Sequence, residues 1–169
     1  MNGPLRTKLD SIFRDVETEL ADDDRLTVCV PKDSVVPVLS FLRGEGCDYL
    51  QLVSCVDWTE RGELELVYVL SSYTGEANPP GAARANVLVK TGLPRTHPSL
   101  PTSIGVFPSA EPYERELHEL FGVRFEGHPR LTPLFLEREY EVPPFRKDFD
   151  TRQYVEDHFG SIPPVEEGS

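Results

Sequence analysis

The chain of 169 residues fits one domain with room for an arm, and 29 acidic against 17 basic residues set a net charge of -12. That balance excludes broad electrostatic binding to nucleic acid or to an anionic membrane surface, which draw affinity from Lys and Arg clusters; a basic protein neighbour suits it. Apolar content of 38%, with 16 prolines and 12 glycines, lies below the roughly 45–50% of average domains, so the chain is not expected to bury all its apolar groups alone.

Leu5, Leu9, Ile12, Phe13, Val16 and Leu20 recur at helical spacing and predict an amphipathic opening helix, ended by Asp22-Asp23-Asp24. Leu26 to Val30 reads as a short buried strand. Pro31-Lys32-Asp33 then introduces a second helix through about Leu42, with Asp33 as candidate N-cap and Gly44 and Gly46 as its close. Tyr49 to Trp58 and Glu63 to Tyr73 form a hairpin about Thr59-Glu60-Arg61-Gly62. In its second strand Leu64, Leu66, Tyr68 and Leu70 share one face, and Glu63, Glu65, Val67 and Val69 the other.

Gly75 to Ala83 is a predicted loop, and Arg84 to Lys90 a third sheet strand with Val87 and Val89 alternating. Thr91 to Pro108 reads as a proline-spaced connection. Ser109 is placed to cap a helix whose stripe is Tyr113, Leu117, Leu120 and Phe121, with Gly122 as its stop. Prolines recur from Pro129 to Pro164. The element order predicts an α+β fold, a mixed sheet with helices on one face, followed by an extended proline-rich C-terminal arm.

Candidate chemistry is sparse. Cys29, Cys47 and Cys55 are separated by 18 and 8 residues, whereas metal and cluster sites want close pairs and about four ligands. Their number and spacing suit free thiols in a reducing compartment. His97, His118, His128 and His158 sit in no nucleophile context, and no glycine-rich phosphate cradle occurs. No apolar run approaches the roughly 18–20 residues of a membrane span, and the N-terminus lacks the order of a secretory signal. Glu111 with Arg115, Arg115 with Glu119, and Glu114 with His118 are spaced to pair along the helix. Arg146 is suited to a bidentate grip on a carboxylate, beside the aromatic anchors Phe145 and Phe149.

The run Tyr113-Glu114-Arg115-Glu116-Leu117-His118-Glu119-Leu120-Phe121-Gly122-Val123-Arg124-Phe125-Glu126-Gly127-His128-Pro129 closely resembles the signature of the complex I 30 kDa subunit family. Arg146-Lys147-Asp148-Phe149 resembles that family's second motif, at the right distance, and Cys55-Val56-Asp57-Trp58 and Leu66 to Ser72 resemble its strand pair. The resemblance covers about Leu26 to Phe149. His118-Glu119 and Pro143-Pro144-Phe145 depart from the dehydrogenase pattern, toward hydrogenase-type or archaeal-type members.

The resemblance implies a docking subunit of the peripheral arm of a membrane-bound oxidoreductase, on the cytoplasmic side of the cell membrane. It implies no catalytic, cofactor-binding or metal-binding residue in this chain. Fe-S clusters, or a Ni-Fe centre, would lie in partners: a 49 kDa-type or hydrogenase-like large subunit and Fe-S subunits. Residues 1–128 would form the α+β domain, and residues 129–169 an arm packing on a partner subunit. Glu114, Arg115, Glu116, Phe121, Gly122, Gly127, His128, Pro129, Arg146, Lys147 and Asp148 are the expected interface and motif residues. The equivalent subunit of an energy-converting [NiFe] hydrogenase is the alternative. Rivals of other classes are an enzyme using His128 with a cysteine or with Glu114, and a stand-alone adaptor module.

Overall fold

The computed structural model describes residues 2–21, 25–72, 86–136, 140 and 142–160. Helix α1 (Asn2–Ile12) opens the chain and is followed by β1 (Glu17–Leu20) and β2 (Arg25–Cys29). Helix α2 (Val35–Gly44) leads into the hairpin β3 (Tyr49–Trp58) and β4 (Glu63–Ser71), then β5 (Asn86–Pro94). The remainder comprises β6 (Ser99–Pro101), α3 (Ala110–Phe121), β7 (Arg124–Glu126) and α4 (Thr151–Phe159).

Five strands form one sheet in the order β1-β2-β5-β4-β3, and β6 and β7 form a second, two-stranded one. The large sheet is mixed: β2 runs parallel to β5, while the other neighbours are antiparallel. Period-two patterning sets its faces. Leu64, Leu66, Tyr68 and Leu70 of β4 are fully buried, as are Val87, Val89 and Leu93 of β5. They join one core with Leu5 and Leu9 of α1, Val38, Leu39 and Leu42 of α2, and Leu117 of α3. On the other face of β3, Leu52, Val56 and Trp58 stay 36–39% exposed, so apolar side chains remain in water there.

Several elements differ from expectation. The opening helix stops at Ile12 instead of Leu20, and Glu17–Leu20 pairs with β2 from Glu17↔Cys29 to Leu20↔Leu26. Val16 and Leu20 fit a helical period, but Val16, Thr18 and Leu20 also alternate, and the β2 ladder decides between the two periods. Strand β5 runs past Lys90 to Pro94 because the pairing with β4 continues to Glu63↔Pro94. Asp33 does not cap α2: it lies in a short 3-10 turn, Lys32–Ser34, and Ser34 precedes α2 without a side-chain cap. Ser109 stands at the N-cap of α3, likewise without a side-chain hydrogen bond.

The predicted loop Gly75 to Ala83 lies outside the described residues, as do Asp22-Asp23-Asp24 and residues 161–169. Within the predicted arm, Asp150 accepts hydrogen bonds from the backbone amides of Arg152 and Gln153 and so caps α4, which the proline pattern concealed.

Candidate functional site

Helix α3 carries the long motif, and its hydrophobic stripe orients it. Leu117 and Leu120 are buried, and Tyr113 and Phe121 are half-buried against the core. Tyr113 donates its hydroxyl to the Gln51 carbonyl of β3 at 2.9 Å. The same turn of helix drives Glu114 inward, where it is fully buried. Thr102 donates its hydroxyl to one carboxylate oxygen at 2.5 Å, and the Ser103 amide and hydroxyl each donate to the other at 2.7 Å. A buried carboxylate needs such donors, since leaving it unsatisfied costs far more than the bonds return. Glu114 therefore fastens the loop after β6 to α3. It forms no pair with His118, and it is not available to a partner as expected.

On the outer face of α3 the charges reach backbone. Arg115 donates to the carbonyls of Thr132 at 3.0 Å and Pro133 at 2.8 Å, and pairs with Glu111 at 3.4 Å. Glu119 accepts from the amides of Leu134, Phe135 and Leu136. Burial opposes its ionisation, but the amides of Phe135, Leu134 and Leu136 outweigh this and hold its carboxyl below the usual range. The two side chains grip opposite polarities of one peptide run, 132–136. Glu116 is half-buried beside them.

The second motif returns to this helix. Phe145 donates its amide to the Leu120 carbonyl at 3.0 Å, and Arg146 its Nε to the Phe121 carbonyl at 2.8 Å. Phe121 and Phe145 meet edge to face at 6.0 Å. Gly122 ends α3 with φ 74°, and an added Cβ would sit 2.9 Å from Pro143 Cγ and 3.2 Å from Arg146 Nη2. Glycine is required there twice over, for the left-handed backbone and for the close approach.

Arg95, just past β5, joins the motifs. It donates to Asp57 at 2.8 and 3.0 Å and to Asp148 at 2.6 and 3.1 Å. The Lys147 amide also donates to Asp57, at 2.9 Å. Hydrogen bonds from Arg95 hold both carboxyls below the usual range, against the opposing effect of burial. The Lys147 ammonium lies 6.0 Å from the Trp58 ring centroid. Arg146 makes no ion pair among the described residues. The bidentate carboxylate grip expected of it belongs to Arg95.

Gly127 turns the chain at φ 83°, and its Cβ position lies 3.5 Å from Thr102 Cγ2. The adjacent His128 accepts at Nδ1 from the Arg130 amide at 3.0 Å, and Pro129 is exposed. Cys47 and Cys55 are buried, and burial pushes their thiols up to about 11 and about 12. Among the described residues no three His, Cys, Asp or Glu side chains gather in a metal-holding group, and no helix is long and apolar enough to cross a membrane.

The arrangement thus brings Glu114, Arg115, Phe121, Gly122, Arg146, Lys147 and Asp148 into one block and leaves Glu116 and Pro129 at its margins. Sequence reasoning misses Arg95 and the pair Thr102 and Ser103, and it offers Arg115 as the partner of Glu119 where the structure supplies the amides of 134–136. Glu119 carries a signal in its place inside the motif. Arg95 carries little, because its partners lie 38 and 53 residues away.

Known proteins share this chain's pattern. The family model described as "Respiratory-chain NADH dehydrogenase, 30 Kd subunit" matches residues 28–155. An NADH-quinone oxidoreductase subunit of Moorella thermoacetica is 33% identical over 84% of this chain and 90% of its own. An F(420)H(2) dehydrogenase subunit of Methanosarcina mazei is 36% identical over 75% and 76%. Among solved structures, a chain of the membrane-bound sulfane sulfur reductase, an archaeal respiratory membrane complex, superposes with a TM-score of 0.80 at 28% identity, covering 98% of this chain and 94% of that one. The trypsin-resistant fragment of Nqo5 gives 0.62 at 26% identity, over 76% and 98%. With the matched region holding both motifs and every strand of the sheet from β3 to β5, the chain belongs to the family of the respiratory-chain NADH dehydrogenase 30 kDa subunit.

Proposed function

We propose that this chain is a docking subunit in the peripheral arm of a membrane-bound complex I-type oxidoreductase. It works beside a 49 kDa-type large subunit and Fe-S subunits on the cytoplasmic side. The assembly passes electrons to quinone or another acceptor and couples this to ion translocation. The chain itself binds no redox group; the Fe-S clusters sit in its partners.

The observation that carries this reading is how the motif charges are used. Glu114, Arg115, Glu119, Arg95 and Asp57 all close on backbone or side chains of this same chain. Side chains so committed are poor acids, bases or ligands, and good fixtures for a surface of defined shape. Leu52, Val56, Trp58, Phe135 and Phe145 remain exposed, and such apolar groups suit contact with another polypeptide. A further support is that proteins named for NADH–quinone, F(420)H(2) and sulfane sulfur chemistry are each similar to this chain in sequence or in fold. A role independent of the electron donor fits that spread.

The test is affinity purification of the tagged full chain from detergent-extracted membranes. The expected result is co-elution with a large subunit and Fe-S subunits. Elution as a lone chain, with membranes retaining normal donor-to-acceptor activity in its absence, would overturn the reading.

A further inference from the structure

One cleft borders the junction of α3 with the second motif. It measures about 670 Å³ and opens between the turn after β5 and the end of α3, with His97, Ser99, Gly122, Arg124, Glu126 and Arg146 on its walls. Its charge is unusual for an acidic chain. Arg146 spends its Nε on the Phe121 carbonyl, and its two terminal nitrogens make no ion pair among the described residues. The nearby acids, Asp57 and Asp148, are both bound by Arg95.

Burial and the neighbouring Arg95 cation pull Arg146 below the usual guanidinium range, as expected where positive charge is under-compensated. Arg124 anchors β7 by its amide to the Pro98 carbonyl, while its side chain is exposed and without an ion pair among the described residues. Among the described residues Glu126 is the one acid on these walls, and it accepts a hydrogen bond from the Ser99 hydroxyl. Two guanidinium groups and an exposed imidazole therefore line the cleft against a single carboxylate among the described residues.

We infer that this cleft receives an Asp or Glu side chain of a neighbouring subunit, held by Arg146 and Arg124. Guanidinium groups favour this ligand because their planar donors match a carboxylate with parallel hydrogen bonds. Phe145, 61% exposed beside Arg146, supplies the apolar contact that accompanies arginine at interface centres. The chain's own net charge of -12 makes the cleft a local exception. It would select one acidic residue on a partner and so fix the register of docking. This inference rests on the docking role proposed above.

The test uses the intact complex, purified through a tag on another subunit. Arg124→Lys and Arg146→Lys place an amine in the cleft, and a carbodiimide then joins amines to carboxylates in contact with them. Peptide mapping is expected to find a new link, absent from wild type, between the substituted position and an Asp or Glu of a neighbouring subunit. Arg124→Glu is expected to cut retention in the complex by at least about tenfold, while the isolated variant melts with the wild type. Links confined to this chain's own acids, such as Glu126, or no new link in a complex that holds the variants, would overturn the cleft assignment and leave the docking role standing. Absence of the wild-type chain from the purified complex would overturn both.

Discussion

Arg95 and Asp148 meet through two hydrogen bonds, at 2.6 and 3.1 Å, although 53 residues separate them in the chain. The same guanidinium holds Asp57 of β3, so one side chain ties the hairpin, the end of β5 and the second motif together. The two acids are not equivalent: the Asp57 side chain is 2% exposed and the Asp148 side chain 54%.

Arg95→Met should therefore destabilise the chain by about 3 kcal/mol, because it removes the cation bound to a buried carboxylate. Asp148→Asn should cost no more than about 1 kcal/mol, as an exposed partner in high dielectric. Urea denaturation of the two variants checks this, and equal losses would show that Asp57 is not the dominant partner.

Acid should loosen the second motif before the core. Asp57, Asp148 and Glu119 are all held below their ordinary carboxylate range in the folded chain. A depressed folded pKa contributes stability that is complete above the unfolded value, roughly 4, and is lost as pH falls through the folded value. Unfolding free energy should thus be level from about pH 7 to 5 and decline below about pH 4. Asp57→Asn should flatten that decline. A stability that rises on acidification would contradict the assignment.

At the junction of the two motifs, Gly122→Ala should cost about 2 kcal/mol, combining a left-handed backbone with a Cβ pressed on Pro143. Gly105→Ala is the control, since an added Cβ there meets nothing within 4 Å. Thermal melts of both variants check the contrast. A neutral Gly122→Ala would mean that Pro143 and Arg146 do not pack there.

Glu114→Gln should be milder than Glu114→Leu. The amide oxygen can still face the Ser103 amide while its NH2 group faces the Thr102 hydroxyl, which also accepts. Leucine leaves the Ser103 N–H buried without a partner, at about 1–3 kcal/mol. Denaturation midpoints for the pair check the order.

Strands are legible in the sequence where one periodicity stands alone. Leu64, Leu66, Tyr68 and Leu70 alternate without ambiguity, and all four are buried as the pattern requires. Val16 to Leu20 satisfies two periods at once, and only pairing with β2 selects the strand. Arg146 stands out in the sequence, but local spacing cannot supply its partner. Arg95 claims the nearby acids by a contact that exists only after β3, β5 and the second motif have met. Glu114 resembles a surface charge among its helical neighbours. Its burial depends on Thr102 and Ser103, which the proline-spaced stretch before α3 brings underneath. Side chains that serve long-range closure leave weak local signatures, and a shared family motif is the stronger guide.

The most direct measurement is a redox and metal analysis of the isolated full chain, purified under anaerobic conditions. If its side chains are fixtures for a neighbouring polypeptide, the protein should carry no stoichiometric iron, nickel or flavin, and dithionite should leave its visible spectrum unchanged. Cys47 and Cys55, with thiols raised to about 11 and about 12, should remain protonated at neutral pH throughout. A stoichiometric metal or a chromophore that bleaches on reduction would place electron transfer in this chain and contradict the account.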